Sequence, residues 1–69
     1  MSDKVYKVVE IVGSSAEGTE DAIRNAIKRA SESIRHIGWF EVISTRGHVE
    51  GSEIKHFQVT LKIGFALDD

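Results

Sequence analysis

Polar and apolar residues alternate without a break along "HFQVTLKIGFAL". Phe57, Val59, Leu61, Ile63, Phe65 and Leu67 fall on one side, and His56, Gln58, Thr60, Lys62, Gly64 and Ala66 on the other. Successive strand side chains point to opposite faces, so "EIKHFQVTLKIGFALDD" (residues 53–69) is predicted as a half-buried strand whose apolar side covers a helix. "KVYKVVEIVG" (residues 4–13) is rich in β-branched residues and stops at a glycine, which predicts an earlier strand. Its two faces, Val5, Lys7, Val9, Ile11 and Tyr6, Val8, Glu10, Val12, are both partly apolar. Both sides of that strand therefore call for a neighbour.

"SSAEGTEDAIRNAIKRASESIRHIG" (residues 14–38) changes period. Ile23, Ala26, Ile27, Ala30, Ile34 and Ile37 recur at helical spacing and predict one apolar stripe, with alanines small enough to let a helix lie close to a sheet. Ser14 and Glu17 fit a capping box. Glu17, Glu20 and Asp21 near the start, with Arg35 and His36 near the end, complement the helix dipole. Glu20 and Arg24 form an i, i+4 pair, and Gly38 supplies the stop. "WFEVISTRG" (residues 39–47) predicts another strand, and Gly47 and Gly51 in "RGHVEGSE" supply a bulge or turn before the last one.

The order β-α-β-β predicts a single α+β domain over residues 1–69, with one helix on one face of a three-stranded sheet. A right-handed crossover sets the first two strands parallel. The third then pairs antiparallel between them. The far sheet face has no cover from this chain, and packing against copies of itself is the simple remedy.

Trp39 and Phe40 are adjacent, so on a strand they point to opposite sides. Phe40 and Val42 suit the helix side. Trp39, Glu41, Ile43 and Thr45 then belong to the uncovered side, which Gln58 and Thr60 also occupy. A large ring and a side-chain amide project from one open surface. The amide offers one acceptor and two donors, which suits the edge of a heterocycle carrying carbonyls and N–H groups, and the ring supplies stacking. The competing reading makes Trp39 an interface residue with no ligand, because tryptophan is enriched where subunits meet.

Composition narrows the field. A chain of 69 residues buries only roughly 60% of its unfolded surface, so its own core is marginal. No cysteine is present to add disulfides or thiolate metal sites, which leaves self-association as the expected support. The formal charge of −2, with cations spread along the chain, argues against a nucleic-acid partner. No apolar run approaches the ~20 residues of a membrane span, and the start carries no secretory signal, which together suggest the cytoplasm. His36, His48 and His56 match no standard zinc spacing. No nucleophile elbow or P-loop is present, so no enzyme is expected.

"YKVVEIVGSSAEG", "WFEV", "RGHVEG" and "HFQVTLKIGF", at this overall length, resemble the dodecin family of small flavin-binding proteins. The resemblance spans essentially the whole chain. It implies a hollow homododecamer of protomers whose sheets partly wrap their helices, with flavin pairs at two-fold contacts. It implies that Trp39 stacks on the isoalloxazine, that Gln58 bonds its polar edge, and that Arg46 meets the phosphate of flavin mononucleotide (FMN). It further implies storage of FMN or riboflavin with quenching of the flavin's photochemistry. Two positions depart from the family pattern. Gly38 replaces an acidic residue that many bacterial relatives carry before the tryptophan. Ala66 replaces an arginine in "GFRL", which lowers the case for coenzyme A as a second ligand. A ligand-free shell is the remaining alternative. Outside the resemblance, Arg46 reads as a surface ion pair with Glu41 or Glu50, and Tyr6 as packing.

Overall fold

The structure is a computed structural model that describes residues 3–67. Its elements run β1 (Tyr6–Ser15), α1 (Thr19–Ala30), β2 (Ile37–Glu50) and β3 (Glu53–Ala66). The sheet order is β1-β3-β2, and β3 is antiparallel to both neighbours. β1 and β2 are therefore parallel, as the sequence predicts. β2 and β3 remain paired from Ile37↔Phe65 out to Glu50↔Glu53, whereas β1 leaves the ladder at Ser15↔Phe57. The hairpin thus projects past β1, and the molecule measures 56 × 20 × 14 Å.

The core lies between α1 and the apolar side of β3. Val59, Leu61 and Ile63 are fully buried, and Ala22 and Ala26 pack on Val59 and Leu61, with Ile11, Ile23 and Ile27 at the margin. The closest approach is at Gly13. A Cβ there would overlap the Ala22 carbonyl and come within 2.7 Å of the Ala26 methyl. Glycine in β1 and alanine in α1 together allow helix and strand to touch at backbone distance.

The helix is shorter than the periodicity predicts. Its last turn tightens as Glu32 and Ser33 donate to carbonyls three residues back, and the Ser31 hydroxyl donates to the Ile27 carbonyl at 2.8 Å. His36 then takes a left-handed backbone (φ 65°), so the chain reverses there and not at Gly38. Ile34 lies beyond the helix and Ile37 opens β2, while Lys28 and Arg29 occupy the last turn in place of Arg35 and His36. The capping box also fails. Ser14 stays in β1, and it is Ser15 whose hydroxyl accepts from the Glu17 N–H (2.9 Å) and donates to Asp21 (2.7 Å). Ser15 also lies in β1, which continues two residues past Gly13, and the helix N-cap is Gly18, which makes no side-chain cap hydrogen bond. The expected Glu20–Arg24 pair is present at 3.5 Å and highly exposed.

α1 covers β1 and β3 and leaves β2 largely bare. Phe40 is on the helix side, where it lines a groove of about 620 Å³ with Ile23 and Ile27, yet it is 48% exposed. On the other face Tyr6, Val8, Val12 and Trp39 are exposed. Among the described residues no helix is long and apolar enough to cross a membrane.

Replacing Gly13 by alanine forces α1 away from β1. The expected cost is about 1–3 kcal/mol, read as an earlier urea or thermal unfolding midpoint than wild type.

Candidate ligand-binding face

Residues opposite each other in an antiparallel ladder share a face. Because the odd-numbered side chains of β3 form the core, its even-numbered ones mark the surface away from α1. On that surface Trp39 faces Gly64, Glu41 faces Lys62, Ser44 faces Thr60, Arg46 faces Gln58 and His48 faces His56. From β1, Tyr6, Val8, Glu10, Val12 and Ser14 join them.

Two irregularities in β2 decide who arrives there. The register shifts between Ile37 and Trp39, and again between Val42 and Ser44, so Gly38 and Ile43 are extra residues. An extra residue reverses the alternation downstream. Gly38 lets Ile37 face the core side opposite Phe65 while Trp39 turns outward. Ile43 corrects the sequence expectation for Thr45, which faces Val59 on the helix side, and puts Arg46 on the same face as Trp39 and Gln58. In an unbroken strand Trp39 and Arg46 would point oppositely.

The indole is set by its neighbours. It occupies the space a Gly64 side chain would fill: a Cβ there would overlap Cε2 and Cζ2 and lie 2.6 Å from Nε1. Tyr6 flanks it, with ring centroids 6.4 Å apart and planes tilted by 50°, within the range of favourable aromatic pairs. Trp39 remains 40% exposed. Tyr6, read from sequence as packing, is thus part of an aromatic ledge. Its parity with Val8 and Val12 gave its face but not its neighbour.

Gln58 and Arg46 are direct cross-strand partners. Gln58 and Gly64 are six positions apart along β3, so this polar pair sits about 20 Å from the indole. One chain brings Gln58 and Arg46 together and holds Trp39 apart from both. Arg46 forms no ion pair and the Gln58 amide no hydrogen bond among the described residues. The surface pairing of Arg46 with Glu41 or Glu50 is therefore not found. Glu41 sits on the rung of Lys62, and the Glu50 carboxylate meets His48 Nε2 at 3.5 Å. A cation and an amide, both without partners among the described residues, stand side by side on an open face.

A family profile described as Dodecin matches residues 5–68. A dodecin from Thermus thermophilus is 48% identical over 66 residues, covering 96% of each chain. The solved dodecin from Streptomyces davaonensis superposes with a TM-score of 0.95 at 48% identity, over 99% of this chain and 100% of that one. A more distant relative, the calcium dodecin of Mycobacterium tuberculosis, is 30% identical over 63 residues, covering 91% of this chain and 89% of its own.

Substitution of Gly64 by alanine is expected to displace the indole while leaving the core side of β3 intact. The tryptophan emission should shift to longer wavelength as the ring moves into water, with the far-ultraviolet circular dichroism spectrum unchanged.

Proposed function

The chain belongs to the dodecin family, and on that premise we propose that it binds and stores a flavin, FMN or riboflavin, between copies of itself. The observation that carries this reading is the exposed indole seated on Gly64 with Tyr6 beside it, on the same face as the unpartnered Gln58 and Arg46. The spacing supports a shared site. About 20 Å of sheet between ring and amide exceeds the length of one isoalloxazine, so one chain does not engage a ring from both directions. A two-fold contact presents the same patch twice in opposite orientation. That symmetry brings one copy's Trp39 toward the partner's Gln58 and Arg46, and it covers the apolar residues Tyr6, Val8 and Val12.

In this arrangement Trp39 stacks on the isoalloxazine and excludes water from one side. Gln58 matches donors and an acceptor to the alternating carbonyl and N–H groups of the ring edge. Arg46 presents a planar fork of donors to a phosphate. An indole in contact with a photoexcited flavin gives up an electron to it, which shortens the excited state and limits photochemical damage. The reading is one of binding and storage, with no reaction catalysed. The name of the mycobacterial relative raises calcium, but among the described residues no group of three or more His, Cys, Asp or Glu is placed to hold a metal ion. The donor set on the open face is one of ring, amide and guanidinium, which favours a planar heterocycle.

The decisive measurement is titration of flavin fluorescence. Wild type is expected to quench it on binding, and Trp39→Ala to weaken binding roughly ten- to a hundredfold, the usual worth of one stacking partner. Unquenched flavin with wild-type protein would overturn the proposal.

A further inference from the structure

Next to the Arg46–Gln58 rung, the hairpin carries a second pair of nitrogen donors. His48 and His56 are directly opposite each other, on the same face, two residues further out. That spacing is about 7 Å along the strands, within the reach of one phosphate and its linker. Lys55 is the extra residue of the register shift just beyond, and it pairs with Glu53 at 3.8 Å. β1 adds Ser14, opposite Gln58.

We infer that Arg46, His48 and His56 form a subsite for a phosphate monoester, and that its two imidazoles make the preference for phosphorylated over unphosphorylated flavin rise as pH falls. This inference rests on the flavin reading and deepens it. The charged groups facing the imidazoles are Arg46 and Glu50 from β2 and the mutually paired Glu53 and Lys55 from the turn side of β3. With both imidazoles neutral, Arg46 is offset by Glu50. With both protonated, the cluster carries two surplus positive charges. Like charges opposite each other across a ladder repel, and an anion seated between them removes that repulsion. Histidine is the side chain that takes up a proton between about pH 8 and pH 5. A phosphate monoester carries roughly −1.5 to −2 near neutrality, whereas riboflavin brings no charge to the cradle.

Lowering the pH charges the imidazoles and strengthens FMN, but it also begins to protonate the phosphate and weakens it. A variant without the histidines keeps only the second effect. The experiment measures dissociation constants for FMN, for riboflavin, and for riboflavin with added inorganic phosphate, at about pH 8 and about pH 6. Full-length wild type, His48→Gln, His56→Gln and the double variant are compared, with thermal unfolding confirming that each is folded. In wild type the FMN-over-riboflavin preference should grow about three- to tenfold on acidification, the scale of two exposed charge contacts. It should grow less in each single variant and stay level or shrink in the double variant.

The same growth in wild type and double variant would overturn the cradle while leaving flavin storage standing. So would a preference that does not change with pH in wild type. Riboflavin plus inorganic phosphate reproducing the FMN trend would overturn assignment of the subsite to the ligand's own phosphate. Failure of either flavin to bind at any pH would overturn this inference and the storage function together.

Discussion

β3 is paired on both edges while one of its faces is buried beneath α1, and no other strand carries both constraints. Val59, Leu61 and Ile63 are committed to the core, so Gln58, Thr60, Lys62 and Gly64 are held on the opposite face with no freedom to exchange. A one-residue slip would place Lys62 under the helix and three large apolar groups in water. The candidate site is built on this fixed row. Gly64 supplies the seat for the indole and Gln58 the amide, while the flanking strands add Tyr6 on one side and Trp39 and Arg46 on the other.

β2 has the opposite character. α1 leaves it largely bare, so Phe40 and Val42 stay about half exposed, and no packed layer enforces its alternation. It therefore tolerates extra residues at Gly38 and Ile43, and those residues choose which side chains reach the open face. A strict strand would divide Trp39 from Arg46. The weakly covered strand is thus the one whose irregularity assembles the polar and aromatic groups.

This difference explains what the sequence made legible. The alternation of β3 is enforced by burial, so it was plain in the residues, and with it the face of Gln58. The opposite faces of Trp39 and Phe40 were equally plain, because no extra residue separates them. Thr45 was misplaced because a bulge at Ile43 leaves no compositional mark: isoleucine is as ordinary in a regular strand as in a bulge. The helix end was misjudged for a related reason. Ile34 and Ile37 continue the helical spacing but serve other elements, and the reversal falls on His36, where glycine was the expected signal. Tyr6 could be given a face but not a neighbour, since contact with Trp39 depends on the register of both outer strands against β3. The resemblance supplied a role for Arg46 that simple alternation would have denied it.

The contact between the indole and bare backbone has a further consequence. A ring lodged where a side chain is missing has few alternative rotamers, because most would lift it off the sheet. For a planar ligand of the proposed kind, stacking there would not first have to freeze the ring, because contact with Gly64 and Tyr6 already sets its orientation. Under the proposed function such a platform would favour flat ligands, since a puckered or branched molecule would meet the same surface at fewer points.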